Sequence, residues 1–402
     1  MKKSNEALLI FGAILCAMTV LSSSEAKAIP AFARAYGVPC STCHTAITRR
    51  NEFGDAFRKA GYHWPGGPGA DRRARKAPPI ELGGIAALTS DLPAWLPVGL
   101  SGTLSGAYSN DTALANPIVL GSPSFNILFG SALGDHASFF GTWAGRGAPD
   151  ELYLHFARIG GLPELNIRAG LFEQTTTIVK NNETLIDHFV LGTSNLNGHT
   201  VAQSRLGLEI NGALLDRTFY AVGVVQNGGI GTNADLYYRV SHKFGGITLS
   251  GEEPDIDLEE PSFWEDFIVT LGHWAYFGKV SDATTNVDTA LIRRFGGDAK
   301  IRFHAFSLWG GIMLGLDRDL AANAASTNLT WFVEISYSIL SWLTPIYLYQ
   351  YQDSRGFERE AQKHDFGLII LVAENIRGRA KFSFTDDGVR NEFGELQFLF
   401  GF

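Results

Sequence analysis

The feature that most constrains the fold of this chain is a series of segments in which apolar and polar side chains alternate. In one of them Leu206 and Ile210 share one face, while Arg205, Glu209 and Asn211 occupy the other. A period of two indicates a β-strand with two different faces. Many such segments of about ten residues, separated by turn-rich stretches, are typical of an outer-membrane β-barrel.

Segments 165–172 and 376–384 repeat the alternation and place arginines on the polar face, which suits a water-filled interior. A soluble β-sandwich also alternates, but its apolar faces lie between two sheets. The composition is unusual for a soluble enzyme, because the chain has 45 glycines, 12% aromatic residues and only 18% charged residues. After residue 28, no stretch is long and apolar enough to predict a transmembrane helix.

The C-terminal segment favours the barrel over the sandwich. Leu396, Phe398, Phe400 and Phe402 share one face, and the chain ends on Phe402. A terminal aromatic residue on an alternating strand resembles the C-terminal insertion signal of bacterial outer-membrane barrels. In a soluble sandwich, the same segment would form an exposed apolar edge that promotes aggregation.

We therefore predict a mainly β fold, a transmembrane outer-membrane β-barrel of about 16 strands over residues 80–402, preceded by a short helical segment. About sixteen or seventeen strands can be counted, and an even number is the rule for a single-chain barrel. One weak early segment is therefore miscounted or belongs to a plug. The predicted strands lie near 80–90, 97–108, 123–132, 135–145, 149–160, 163–172, 202–212, 217–227, 234–244, 265–278, 287–297, 299–315, 327–338, 342–352, 364–374 and 376–385, with 392–402 in surplus.

Two long stretches lack the alternation and are predicted as loops. Residues 173–200 form the longest, which lies either outside the cell or folded into the barrel lumen. Residues 251–263 are strongly acidic, and a solvated loop is favoured there over a role in gathering cations.

Residues 1–28 have the features of a secretory signal peptide. Lys2 and Lys3 precede an apolar stretch over 8–21, and Ala26-Lys27-Ala28 forms a cleavage site. The segment carries +3 and −2, so its removal changes the formal charge from −8 to about −9. This acidic balance argues against nucleic acid as a partner.

A C-x-x-C-H motif, Cys40-Ser41-Thr42-Cys43-His44, follows the cleavage site closely. Its spacing suits thioether bonds from both cysteines to one haem, with the adjacent imidazole as an axial ligand of the iron. A zinc site would need further ligands, and the chain has no second cysteine pair. A thioredoxin-like site would lie in an α/β pattern. The motif therefore predicts one covalent haem c, bound by Cys40, Cys43 and His44.

The haem segment, residues 29–64, is too short to fold as a cytochrome domain without other walls. Phe53, Phe57 and Tyr62 follow the motif at helical spacing and would give an apolar surface for the porphyrin. A linker rich in Pro, Gly and Arg, residues 65–79, joins this segment to the barrel. Its basic cluster is predicted to be solvated, with docking to haem propionates or a redox partner as the alternative. We expect the inner face of the barrel to supply the remaining surface around the haem.

The haem segment resembles the porin-fused monohaem outer-membrane cytochromes, whose members include the outer-membrane iron oxidases of iron-oxidising bacteria. The resemblance covers residues 29–62 and rests on 29–34, the C-x-x-C-H motif, and the Phe53-Gly54 and 57–62 stretches. It implies haem attachment at Cys40 and Cys43, with His44 as proximal ligand, and a cytochrome plug inside the barrel. Residues 48–52 depart from the family pattern, which has a proline and an apolar residue there.

The second axial ligand of the haem is predicted to be His63, which lies just after the presumed haem helix. Three alternatives remain open. They are a lumen histidine such as His155, which alternates with apolar neighbours; Met313, the one methionine outside the signal peptide; and an open site.

The predicted function is that of an electron conduit in the outer membrane of a Gram-negative bacterium. An extracellular reductant, with Fe(II) as the candidate, would reduce the haem, which would then reduce a periplasmic c-type cytochrome. Two alternatives belong to other functional classes. They are a solute porin with a structural or sensory haem, and a haem enzyme that acts on a small ligand.

Overall fold

A computed structural model describes most of the chain between residues 31 and 401. The described residues are 31–46, 49–64, 67, 96–109, 118–178, 184–186, 199–201, 203–226, 234–249, 267–281, 285, 287–320, 322–355, 361–373, 375–386 and 390–401. The predicted signal peptide, almost all of the predicted linker, the predicted strand at 80–90, the acidic loop at 251–263 and Phe402 lie outside them.

The described strands after residue 96 form one closed antiparallel barrel of sixteen strand positions. One position is shared, because a three-residue strand, β4, pairs with one end of β3 while β5 pairs with the other end. The strands are β3 Val98–Ser109, β4 Ile118–Leu120, β5 Ser124–Leu133, β6 Ala137–Trp143, β7 Glu151–Phe156, β8 Asn166–Glu173, β9 Ser204–Leu214, β10 Thr218–Gln226, β11 Ala234–Phe244, β12 Ile268–Ser281, β13 Asp288–Phe303, β14 Phe306–Asp319, β15 Ala324–Tyr337, β16 Leu343–Arg355, β17 Ala361–Ala373, β18 Ile376–Asp386 and β19 Arg390–Gly401.

The ring closes between the last strand and the first described strand of the barrel. Strand β19 pairs with β3 in antiparallel register from Phe393↔Ser109 to Gly401↔Ser101. The predicted strand at 392–402 is therefore a member of the barrel, and the ring reaches sixteen positions without the segment at 80–90. This confirms the predicted strand number, while the predicted start of the barrel at residue 80 lies outside the described residues.

The alternation of the sequence matches the two surfaces of the barrel. On β9, Leu206 is 55% exposed and Leu208 is 51% exposed on the outer face, whereas Arg205 and Glu209 are buried inside. The outer surface thus presents apolar side chains to lipid, and the inner surface is polar. Among the described residues, no helix is long and apolar enough to cross a membrane.

One predicted strand boundary was wrong. The predicted strands 287–297 and 299–315 place a boundary at Asp298, but β13 continues through this position and the chain turns at His304, where φ is 48°. Gly296 allows close packing between the strands, because a Cβ at this position would collide with the indole ring of Trp274 on β12. Asp298 points inward, where its carboxylate accepts hydrogen bonds from Arg239 at 2.6 and 2.7 Å.

The N-terminal unit, residues 31–64, packs against the inner side of this barrel. It contains a helix α1 (Ala31–Tyr36), a 3₁₀ turn (Cys40–Thr42), two short paired strands, β1 (His44–Ala46) and β2 (Arg49–Arg50), and a helix α2 (Glu52–Lys59). The predicted haem helix is thus present over 52–59. It ends where Gly61 and Tyr62 adopt positive φ angles of 70° and 58°.

The described part of the long loop at 173–200 folds into the lumen, one of the two predicted alternatives. Leu185 and Ile186 are buried, and the Leu185 carbonyl accepts a hydrogen bond from Arg379 on β18 at 3.3 Å. The amide of Ile178 donates to the Asp298 carboxylate at 3.2 Å. The N-terminal unit and the described residues of this loop therefore both lie inside the barrel.

Candidate haem site in the barrel lumen

The C-x-x-C-H motif forms a single tight turn. Cys40 begins the 3₁₀ turn, and the amide of Cys43 donates to the Cys40 carbonyl at 3.1 Å. Both sulfurs therefore belong to one turn, and no disulfide joins them. His44 follows directly as the first residue of β1, where it pairs with Arg50 and is half-buried.

Asn51 holds this turn against the start of α2. Its side-chain amide donates to the carbonyls of Ser41 at 2.9 Å and Thr42 at 3.0 Å. Its side-chain oxygen accepts the Gly54 amide at 2.9 Å as the N-cap of α2. One asparagine thus satisfies polar groups on both the motif and the helix, and it fixes their relative position.

Gly54 permits the close contact between the same two elements. A Cβ at this position would overlap the carbonyl oxygen of Cys43. That carbonyl also accepts a hydrogen bond from the backbone N–H of Asn51 at 2.9 Å, so it cannot move away without losing this bond. The Phe53-Gly54 pair therefore supplies one aromatic side chain to the core and one position where the backbones touch.

An apolar aromatic cluster lies beside the motif. Phe53 and Trp64 have ring centroids 4.8 Å apart, and Tyr36 lies 5.4 Å from Trp64 and 5.5 Å from Phe57. Burial, with the neighbouring Cys40, raises the pKa of the Cys43 thiol to about 12. One side of the motif thus faces an aromatic surface, while Cys43 and His44 remain half-buried.

The donor set fits a covalent haem. Two thiols in one turn suit the two thioether bonds, the adjacent imidazole suits one axial position, and the aromatic cluster offers a flat apolar surface. The attachment roles of Cys40, Cys43 and His44 nevertheless remain predictions. Among the described residues, no group of three or more histidine, cysteine or acidic side chains is arranged to hold a metal ion.

His63 is buried, and both of its ring nitrogens contact backbone carbonyls. Nδ1 lies 2.9 Å from the Gly61 carbonyl, and Nε2 lies 3.2 Å from the Gly134 carbonyl at the end of β5. In this arrangement His63 fixes the end of the N-terminal unit to a barrel hairpin. Its role as second axial ligand stays a prediction, and it would require a rotation of the ring away from these carbonyls.

The alternative ligands lie on the inner face of the wall. His155 on β7 is 4% exposed, while its neighbours Leu154 and Phe156 point outward, as the alternation predicts. Met313 on β14 is buried in the inner apolar cluster. Gly61 packs closely on His155, because a Cβ there would lie 3.4 Å from the imidazole.

The segment that departs from the family pattern connects the N-terminal unit to the barrel. Arg49 makes a two-pronged ion pair with Glu334 on β15, with Nη2 at 2.9 Å from Oε2, and both side chains are buried. The guanidinium carbon of Arg49 also lies 4.2 Å from the centre of the Trp309 ring on β14. Paired geometry of this kind is the strongest that an arginine makes with a carboxylate.

Glu52 is the second ionic contact with the wall. Its carboxylate lies 2.8 Å from the ammonium of Lys243 on β11 and 2.7 Å from that of Lys300 on β13. Burial alone would raise the pKa of Glu52, but the charges of Lys300, Lys243 and Arg302 outweigh it and hold that pKa well below its usual value. Glu52 is therefore a carboxylate inside the barrel.

A third contact joins the unit to the opposite part of the wall. The Tyr62 and Tyr153 hydroxyls are 2.7 Å apart, and the Tyr62 ring stacks on Phe140 with centroids 5.3 Å apart. These residues on β6 and β7 lie far along the ring from Glu334 on β15. The N-terminal unit is thus held from several directions.

The sequence indicated the motif but not its attachment to the wall. Arg49, Asn51, Glu52, Glu334 and the two lysines of the second contact were not predicted as site residues. A signal did exist, since charged residues in 49–52 replace the apolar pattern of the resembling family. The partners of these charged residues could not be predicted from the sequence, because they lie on the wall up to 285 positions away.

No family model and no curated protein matches this sequence. Several solved structures share the fold. The anion-selective porin from Comamonas acidovorans aligns with a TM-score of 0.56 at 10% identity, covering 76% of this chain and 99% of that chain. The loop L8 deletion mutant of OmpT from Vibrio cholerae gives 0.54 at 11% identity, covering 76% and 98%.

The outer membrane channel DcaP of Acinetobacter baumannii gives a TM-score of 0.51 at 11% identity, covering 76% of this chain and 97% of that chain. At these identities, the likeness concerns the fold. Together with the closed ring and its apolar outer surface, it identifies the protein as an outer-membrane β-barrel of porin-like architecture.

Proposed function

We propose that this protein is an electron conduit of the outer membrane. One haem c, bound by Cys40, Cys43 and His44, would accept electrons from an extracellular reductant, with Fe(II) as the candidate, and pass them to a periplasmic c-type cytochrome. When bound, haem c supplies a one-electron centre that needs no bond to the donor. The observation that carries the proposal is the anchoring of the C-x-x-C-H turn to the inner wall.

The residues of this chain would hold the haem in a fixed position. Asn51 and Gly54 join the turn to α2, and the ion pairs of Arg49 and Glu52 join α2 to the wall. The loss of one partner from a buried ion pair costs about 3–5 kcal/mol, so these contacts give a strong geometric constraint. A fixed position matters because electron transfer depends on the separation of donor and acceptor.

The membrane geometry gives the second part of the argument. The apolar band of an outer-membrane barrel is about 25 Å tall, so a haem in the periplasm would lie that far from an extracellular reductant. A haem inside the lumen would shorten the distance to the extracellular surface. The aromatic cluster of Phe53 and Trp64 and the inward-folded loop would exclude water around it.

Proteoliposomes test the proposal directly. A c-type cytochrome is enclosed, a membrane-impermeant Fe(II) chelate is added outside, and reduction is followed by absorbance. We expect reduction with the wild-type protein and its loss with His44→Ala, whose barrel should still show heat-modifiable migration on a gel. Equal reduction by His44→Ala would refute the proposal.

A solute porin is the second candidate, and the porins with the same fold favour it. The N-terminal unit and the described residues of the loop at 173–200 argue against a wide aqueous channel, because their buried side chains lie inside the barrel. Efflux of an enclosed small sugar from the same liposomes separates the candidates. Rapid efflux without cytochrome reduction would favour the porin.

A further inference from the structure

A cavity of about 90 Å³ lies between α2 and the inner faces of β7 to β14. At roughly 15 Å³ for each water position, it has room for about six water molecules. This volume suits a small hydrated ion and is too small for a drug-sized ligand, which needs roughly 300 Å³ or more.

The walls of the cavity carry more positive than negative charge. Seven basic residues and three acidic residues line it, and Asp298, which binds one of the arginines, adds a fourth carboxylate, so the excess is three positive charges. The basic residues are Arg50, Arg58, Lys59, Arg168, Arg239, Lys243 and Lys300, and the acidic ones are Glu52, Asp55 and Glu209.

The excess is concentrated at the lysines. Arg168 pairs with Glu209 at 2.8 Å. The three lysines face two carboxylates: Glu52 lies between the ammonium groups of Lys243 and Lys300, and Asp55 lies 3.8 Å from that of Lys300. The ammonium of Lys59 lies 5.1 Å from the centre of the Phe219 ring. Burial lowers the pKa of Lys59 to about 8, although Asp55 acts in the opposite direction, so its positive charge is poorly stabilised.

A second observation concerns a buried polar atom in the wall of the cavity. His155 also lines the cavity and is 4% exposed, and within the described residues its Nε2 atom has no hydrogen-bond partner. A buried polar atom without a partner costs about 1–3 kcal/mol. A bound group that accepts or donates a hydrogen bond would remove this cost.

We propose that the cavity binds a small oxyanion, a phosphate, a sulfate or a carboxylate, through Lys59, Lys243 and Lys300. Hydrogen bonds between an anion and ammonium groups are charge-assisted and therefore stronger than those between neutral groups. The hydroxyls of Ser241 and Thr270 line the same cavity and can donate to the oxyanion. The proposal rests on the wall and α2, and it does not require haem.

Anion binding would also stabilise the docking of the N-terminal unit. Lys59 belongs to α2, whereas Lys243 and Lys300 belong to the wall, so the complete site exists only when the two are in contact. A ligand that binds only the docked state shifts the equilibrium toward it. The anion would therefore be a regulator of the interior of the barrel.

Isothermal titration of the full-length protein in detergent with inorganic phosphate, at constant ionic strength set by chloride, tests the site. We expect saturable binding of one phosphate, at least tenfold weaker binding with Lys59→Gln, and near-normal binding with Lys59→Arg. Lys279→Gln, on the exposed end of β12, is the matched control and should bind normally. Heat-modifiable gel migration confirms that each variant is folded.

The same titration on Cys40→Ala/Cys43→Ala distinguishes a free anion from a carboxylate of an attached cofactor. Phosphate binding to both proteins supports a free anion, and binding to the double variant alone supports a cofactor carboxylate in the same site. An absence of phosphate binding in both proteins overturns the proposal. Equal weakening by Lys59→Gln and Lys279→Gln also overturns it, since that result reflects general charge attraction.

Discussion

The barrel wall and the N-terminal unit are held together in different ways. In the wall, β12 and β13 pair almost without interruption from Ile268↔Arg302 to Ser281↔Asp288, and every described strand of the ring except the short β4 has ladders on both sides. The N-terminal unit has two strands of three and two residues and two helices of six and eight residues, and it depends on a few contacts with distant residues. The wall is thus a repeated local structure, whereas the unit depends on single long-range pairs.

This difference predicts unequal tolerance to substitution. A closed ring spreads its stability over many backbone hydrogen bonds, so the loss of one side chain removes little of it. The unit has about thirty-four residues, too few for a sizeable core of its own. We therefore expect the wall to form without the unit, and the unit to fold only against the wall.

The largest effect is expected from Cys40→Ala/Cys43→Ala. The double variant removes both predicted thioether bonds, so haem staining on a denaturing gel should disappear completely. The wall contains neither cysteine, so heat-modifiable migration and a strand-rich circular dichroism spectrum should persist. Haem staining that survives the substitution would contradict the assignment of the motif.

Arg49→Met should weaken the docking of α2 by about 3–5 kcal/mol, because it leaves Glu334 buried without its partner. Hydrogen exchange of residues 52–59 measures the change as a loss of protection. The double variant Arg49→Met/Glu334→Leu should recover much of the protection, since it removes both charges. Lys279→Met, from an exposed ion pair, should change protection by about 1 kcal/mol or less. If Arg49→Met and Lys279→Met reduced the protection of residues 52–59 equally, the proposed dependence of the N-terminal unit on single buried pairs would be wrong.

Gly54→Ala should cost about 1–3 kcal/mol, because the new methyl group overlaps the Cys43 carbonyl. Alanine alone would favour the helix by about 1 kcal/mol, so a net loss of protection in α2 identifies the contact as the cause. Gly310→Ala in β14 is the matched control, since its Cβ would lie 3.6 Å from the nearest atom. Stabilisation of α2 by Gly54→Ala would show that the turn and the helix are not in contact.

Acid should release the unit before it affects the wall. The pKa of Glu52 is lowered in the folded protein by Lys300, Lys243 and Arg302, which together outweigh the effect of burial. Its contribution is therefore complete above the ordinary glutamate pKa of about 4.3 and falls below it, by at most about 1.4 kcal/mol per pH unit. Protection of residues 52–59 should decline from pH 5 to pH 3, and Glu52→Gln should reduce that slope. A pH profile unchanged by Glu52→Gln would contradict the ionic contact.

The sequence predicted the wall well, for a physical reason. Alternation has a period of two, and lipid and lumen impose opposite polarities on the two faces, so each strand carries its own signal. The exceptions are informative. The predicted boundary between 287–297 and 299–315 falls directly after Gly297, but β13 continues there, and Gly296 makes room for Trp274 from the neighbouring strand. A local pattern cannot distinguish a glycine needed for a turn from one needed for packing.

The candidate site was predictable only in part. The C-x-x-C-H motif and the helix after it follow from spacing, and His155 was correctly placed on the inner face. The contacts of Arg49 and Glu52 could not be predicted, because the polar face of every strand offers many equivalent charges. The contacts of His63 with the Gly61 and Gly134 carbonyls could not be predicted from the sequence either, because they depend on where a barrel hairpin contacts the N-terminal unit.

The burial of Cys40, with an exposed fraction of 4%, has a consequence for biogenesis. An enzyme that joins a cofactor to this turn must reach both sulfurs and needs space of its own size around them. Such space exists while the exported chain is still unfolded in the periplasm. Once β7, β11, β13 and β15 have assembled around the unit, the turn is enclosed. If haem is attached at this turn, we therefore expect its attachment to precede insertion into the outer membrane.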